Sequence, residues 1–241
     1  MVFLLLNIFS LPGQALNSFE SHILSASQGM AAFHMYLLTE GDEKYIRQFN
    51  RYQKSAESSL DDLDLSKFSA LSNDWREFVS KLEYQVLDNH SIFFETYARN
   101  EYRSYLTNLY LKYVEQNKGR QLNAENAIIR VQILSTILAA RALDVASDIY
   151  GSTVLTEEDN QLSPKIISHQ IQVDIDYLLN QTLTAYQKTI LRKASSKFHF
   201  IKKNMVDYKA QTAYFLIYGN MRAMNKLFSR QFSKAIAINE H

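Results

Sequence analysis

The sequence contains no cysteine, which excludes disulfides, thiolate metal sites, iron–sulfur clusters, c-type haem attachment and cysteine nucleophiles at once. Proline occurs only twice in 241 residues, at Pro12 and Pro164, and glycine six times. A sheet-rich fold needs turn residues in far greater supply, so the scarcity of breakers predicts long helices. So few glycines leave no cradle for phosphates, and zincin, phosphate-loop, dinucleotide and nucleophile-elbow patterns are missing. Missing too are the Glu-x-x-His pairs with which carboxylate bundles hold iron. The residues three before His22, His34, His90, His169, His199 and His241 are Phe19, Ala31, Leu87, Ile166, Ser196 and Ile238. The expectation is a non-enzymatic protein with no catalytic residue, no cofactor and no metal.

A charge of one sign is also lacking: 26 basic and 25 acidic side chains give no global drive toward nucleic acid. The distribution is uneven, however. From Arg192 to Lys234 there are ten Lys and Arg residues against Asp207 alone. Arg222, Lys226, Arg230 and Lys234 recur every four residues and form a basic face on the last helix, suited to an acidic partner or an anionic surface.

What is present is apolar material, 46% of the chain, enough for a sizeable core. Met1 to Leu11 is an apolar run followed by Pro12-Gly13-Gln14-Ala15, where Gly13 and Ala15 sit like the small residues of a signal-peptidase site. Residues 1–15 therefore read as a signal peptide or the remnant of a membrane anchor, and the expected location is the periplasm or the periplasmic face of the inner membrane. Ala127 to Ile149 is apolar but is interrupted by Arg130, Gln132, Arg141, Asp144 and Asp148, so it does not read as a membrane span.

Hydrophobic spacings of three and four mark the helices. Leu16, Phe19, Ile23, Ala26, Met30, Phe33 and Leu37 form a packing seam that ends at Glu40-Gly41-Asp42, with Gly41 as a positive-φ C′ residue and Asp42 as the next cap. Tyr45, Phe49, Tyr52, Ala56, Leu60 and Leu63 predict a second helix, and Phe68, Leu71, Trp75, Phe78, Leu82 and Val86 a third. That stripe reaches a break at Asp88-Asn89-His90-Ser91, and residues up to about Asn117 form a fourth helix or a continuation of the third, ending at Lys118-Gly119. Ile128 to Ile149 predicts a fifth helix, breaking near Gly151. Ser163-Pro164 opens a sixth, reaching about Lys193, and after a restart at Ser195 or Ser196 a last helix runs from Lys197 to about Ile236. The fold class is all-α, an elongated antiparallel bundle of about seven helices. It divides into a first module, 16–119, and a second, 120–241, possible as two stacked four-helix units.

Other features have a structural reading beside the functional one. His34, flanked by Phe33 and Met35 with Met30 one turn away, has the residue types of a bundle haem site, but a lone histidine beside a seam is more often a packing residue. Asp61-Asp62 and Glu157-Glu158-Asp159 fall at helix ends or loops, where acids favour solvent and the helix dipole.

The segment Tyr36-Leu37-Leu38-Thr39-Glu40-Gly41-Asp42-Glu43-Lys44-Tyr45, followed by Phe49 and Ser59-Leu60-Asp61-Asp62-Leu63, resembles the first hairpin of extracytoplasmic helical sensor domains. These are the CHASE3-like and helical-bimodular domains of bacterial chemoreceptors and histidine kinases. Arg130-Val131-Gln132-Ile133-Leu134-Ser135 is similar to the Arg-Gln-Arg-Met-Leu-Ser helix of PilJ-type and nitrate-sensing domains, with Gln132 where that family places its second Arg. The resemblance implies a sensory bundle that binds a small ligand between helices and signals to a membrane protein or a second copy of itself. Arg130, His34, Tyr36 and Arg141 are the candidate ligand contacts, and Gly41 and Asp42 define the turn. No HAMP-like linker or kinase output is recognisable, so the expectation is an isolated sensor module or a soluble relative of one. The competing expectation is an adaptor that holds a protein or an anionic surface through its basic last helix; nucleic acid is not an expected partner.

Overall fold

The computed structural model describes residues 16–63, 65–82, 92–148, 162–207 and 213–232, and among them every regular element is helical. The elements are α1 (Ser18–Leu38), α2 (Glu43–Asp61), α3 (Leu65–Leu82), α4 (Ile92–Gln116), α5 (Ala124–Ala146), α6 (Pro164–Leu179), α7 (Ala185–Val206) and α8 (Tyr214–Lys226). A π-helical segment, Leu227–Phe232, prolongs α8. The export segment expected at 1–15, the breaks at 88–91 and Gly151, and the acidic stretch 157–159 lie outside the described residues.

Two helices form the centre. In α1 the seam Phe19, Ile23, Ala26, Met30 and Phe33 is buried, but so are His22, Ser27 and His34 on the other faces. In α5 the burial likewise runs round the whole circumference from Val131 to Asp144. A helix buried on every side must be a core helix. These two pack on each other, with α2, α4 and α8 against both or one of them and α6 and α7 against α5. Consecutive helices reverse direction, as in the α1–α2 hairpin, where His22 meets Ala56 and Ser25 meets Ser55. After four reversals α1 and α5 run parallel: Glu20 lies near Arg120 at one end and His34 beside Ser147 at the other.

Local chemistry explains the ends. Asn17 and Glu20 form a reciprocal capping box that starts α1. At its C-terminus the amide of Glu40 bonds Leu37 O and that of Gly41 bonds Tyr36 O, both in a Schellman pattern. The left-handed C′ residue is thus Glu40 (φ 53°), one position earlier than the glycine expected there, and Gly41 follows with φ 96°. Asp42 caps α2 as anticipated, accepting from the Lys44 amide at 2.8 Å.

The largest departure from the expected layout is at α6–α7. The chain turns at 180–184 rather than at 195–196, because Asn180 ends α6 and Thr184 and Gln187 form a second capping box. Ser195 and Ser196 lie inside α7, on its solvent side, where serine costs a helix little. The long last helix is in turn two, α7 ending at Asp207 and α8 starting after Ala213.

Candidate functional site

Two of the four expected ligand contacts, His34 and Arg141, do come together, in a buried knot around Asp144. Arg99 and Arg103 approach from α4, Arg141 and Asp144 from α5 and His34 from α1. Arg103 clamps the carboxylate with both ends of its fork, Nε to Oδ2 at 2.6 Å and Nη2 to Oδ1 at 2.8 Å. Arg141 adds a bond of 3.0 Å to Oδ2, and Arg99 donates to the Asp144 carbonyl at 2.9 Å while facing Asp148 at 3.5 Å. Burial alone would raise the Asp144 pKa, but the Arg103 hydrogen bonds and the charges of Arg103 and Arg141 hold it below the ordinary aspartate value.

His34 completes the knot as a neutral ring. Its Nδ1 lies 2.8 Å from the Ser147 hydroxyl, which is also 2.9 Å from Asp144 O, and its Nε2 faces the Asp144 carboxylate at 3.7 Å. Complete burial pushes its pKa down to about 3, with the three guanidiniums acting in the same direction against the pull of Asp144. All five side chains are nearly inaccessible, so this knot ties α1, α4 and α5 together; it is not a place a solute can enter.

The remaining expected contacts lie elsewhere. Arg130 forks onto Asp174 of α6, Nε to Oδ2 at 2.7 Å and Nη2 to Oδ1, and this hydrogen bonding raises its pKa. Its guanidinium is therefore engaged within the protein. Tyr36 packs its ring over Gly41, 3.7 Å from where a Cβ would stand, and so holds the hairpin turn.

An open groove of about 760 Å³ lies between the α1–α2 hairpin and α8. Lys44 and Arg51 of α2 and Arg222 and Lys226 of α8 line it, together with Tyr45, Tyr52, Tyr218 and Phe215. Arg222 and Lys226, one turn apart, are the described half of the basic face; the Arg230 side chain and Lys234 lie outside the described residues. No described lining residue is acidic, and none of the four cations is ion-paired among the described residues. Three of them lie over rings instead: Lys44 over Tyr45 at 4.6 Å, Arg51 over Tyr52 at 4.9 Å and Arg222 over Tyr218 at 5.8 Å.

Hydrogen bonds fix the floor. Asn225 donates to Thr136 of α5 at 3.0 Å, and Gln132 donates to Ser229 at 2.9 Å. Tyr218 is held by Gln48 at 3.0 Å, and burial raises its phenol pKa, so it stays a neutral donor. Gln132 thus braces the π segment. Four cations converging on one concavity create a positive potential that attracts an anion, and the tyrosine rings offer flat apolar faces beside it.

Sequence reasoning reached Arg222 and Lys226 through their four-residue spacing. It missed Lys44 and Arg51, which lie on the polar side of α2 and join α8 only through tertiary packing, and it read Tyr52 only as part of the α2 seam. Arg99 and Arg103 carried a signal, since a four-residue spacing puts both on one helix face with Leu106. Among the described residues no cluster of three or more His, Asp or Glu could hold a metal, and no helix is long and apolar enough to cross a membrane. No family model matches the chain, and neither a curated protein nor a solved structure is similar to it.

Proposed function

We propose that the protein is a non-enzymatic sensory bundle that binds a small anionic ligand in the groove between α2 and α8. The observation that carries this reading is the set of four cations, Lys44, Arg51, Arg222 and Lys226, none ion-paired among the described residues, lining one concavity with tyrosine rings between them. Like charges are gathered there at an electrostatic cost that a bound carboxylate or phosphate would reverse. The rings favour a ligand with a planar or apolar part beside its charge.

The hairpin resemblance to extracytoplasmic sensor domains supports a signalling role and, with the apolar first residues, a periplasmic setting. The groove supplies a route for the signal. Its two walls belong to different parts of the chain, and α8 passes directly into a π segment, Leu227–Phe232. Such segments sit where a helix can change register cheaply. A ligand drawing α8 toward α2 would shift that segment and whatever membrane partner or second copy reads it.

Thermal unfolding of the full chain against aliphatic carboxylates, aromatic carboxylates, inorganic phosphate and phenyl phosphate tests the reading. At one hundred times its dissociation constant a true ligand contributes about 2.7 kcal/mol of stability. For a chain of this size that is a rise of roughly 5–10 °C, lost in Arg222→Glu/Lys226→Glu. A flat response to every anion contradicts the proposal.

A further inference from the structure

The second large concentration of positive charge is on α7, on a surface that shares no lining residue with the groove. No Asp or Glu occurs from Tyr177 to Val206, while Lys188, Arg192, Lys193, Lys197, Lys202 and Lys203 all do. The inner face of α7 is apolar, with Ile190, Leu191, Ala194, Phe198, Ile201 and Met205 buried in the bundle. Its outer face is not simply polar. Tyr186 is 50% exposed and Phe200 63%, the largest exposure of any large hydrophobic side chain described.

These outward residues fall on one line. Positions 186, 189, 193, 196, 200 and 203 succeed one another at spacings of three and four, which keeps them on one side of the helix. The two rings are about 21 Å apart along the axis. Between them a shallow basin is lined by Thr189, Arg192, Lys193, Ser196 and Lys197, with Leu227 of the π segment on its far side. Arg192, Lys193, Lys197 and Lys203 are not ion-paired among the described residues.

We propose that α7 is a membrane-surface helix that rests lengthwise on an anionic bilayer, with Tyr186 and Phe200 in the headgroup region and Arg192, Lys193, Lys197 and Lys203 on lipid phosphates. Exposed aromatics alternating with cations along one side of a helix match an interface that is apolar beneath and negative above. The chemistry of nucleic acid fits less well. Stacking requires rings near successive bases, whereas these are three to four turns apart. An acidic protein would satisfy the cations but leave no reason for rings at both ends of the row.

The test is co-sedimentation of the full chain with vesicles of pure phosphatidylcholine or of phosphatidylcholine with 30 mol % phosphatidylglycerol. Binding is expected only to the anionic vesicles and only at low salt. Lys193→Glu/Lys197→Glu should lower the partition coefficient at least about 100-fold, and Phe200→Ser about tenfold, without changing the melting temperature, because these side chains are outside the core. Phe200→Trp leaves all the cations in place and reports insertion. Its emission should move to the blue on anionic vesicles and be quenched by brominated acyl chains.

Equal sedimentation with neutral vesicles, no sedimentation at all, or bound Phe200→Trp with unshifted emission would overturn the proposal. So would retention of a DNA duplex by a protein that ignores the vesicles. None of these results depends on whether an anion occupies the groove.

Discussion

Replacing Asp144 by Ala should be among the most damaging single changes this fold can suffer. The carboxylate is completely buried and receives both arms of Arg103 at 2.6 and 2.8 Å and Arg141 at 3.0 Å, with Arg99 at 3.4 Å. Removing it leaves guanidiniums that cannot lose their protons, packed against one another away from water. Breaking a buried ion pair by deleting one partner costs about 3–5 kcal/mol, against a typical total stability of about 5–15 kcal/mol. Asp144→Asn keeps the shape and one acceptor but loses the charge, and should fall near the lower end of that range. In this size class the expected drop in melting temperature is roughly 10 °C. Urea unfolding followed by far-UV circular dichroism measures it directly, with a shifted midpoint and an unchanged slope. A loss below about 1 kcal/mol for Asp144→Ala would refute the claim that this one carboxylate holds the arginines of α4 and α5 in place.

Three further outcomes follow from other sites. His22 and His34 have pKa values lowered by burial from 6.5 to about 4 and about 3, so as pH falls the unfolded chain takes up protons first. Their contribution is intact above about pH 7 and lost below it, by about 2 kcal/mol each at pH 5; a denaturation midpoint that is flat from pH 7.5 to 5 would contradict this. A Cβ at Gly29 would stand 2.7 Å from the Tyr102 hydroxyl, which donates to Ala26 O at 2.7 Å. Gly29→Ala should therefore destabilise by about 1–3 kcal/mol, although alanine is the better helix former, and Tyr102→Phe in the same chain should restore most of the loss; additivity of the two in a double-mutant cycle would show the steric account to be wrong. Gly41→Ala places a side chain at φ 96° and should cost about 1–2 kcal/mol by melting, unlike Gly219→Ala, where a Cβ meets nothing within 4 Å.

The legible parts of this protein were those fixed by local chemistry. The α1 seam, the Asp42 cap, the Pro164 start and the all-helical class follow from hydrophobic spacing, capping and the dearth of breakers. The Thr184-Ala185-Tyr186-Gln187 box was equally present in the sequence, yet it sits in a polar run without proline or glycine, where two serines at 195–196 look like the better break. Side-chain hydrogen bonds decide that boundary, and hydrophobic period does not register them. The site was legible only in part, for a different reason. Charges that interrupt an apolar helix, as Arg141 and Asp144 do in α5, announce a buried partner without naming it. Which partner each finds depends on the parallel alignment of α1 with α5 and on the packing of α4, both properties of the assembled bundle. Arg130 shows the converse. A motif-like arginine was taken up by Asp174, forty-four residues away, while the cations that do line a concavity come from α2 and α8, helices with no sequence feature linking them.

Titration of isotope-labelled full chain with phenyl phosphate, followed by backbone amide shifts, tests the groove most directly. The account predicts saturable shifts concentrated at Arg51, Tyr52, Gly219, Arg222 and Ala223, continuing into the π segment from Leu227, and absent in Arg222→Glu/Lys226→Glu. Shifts confined to α7, or none at any concentration that leaves the protein folded, would contradict it.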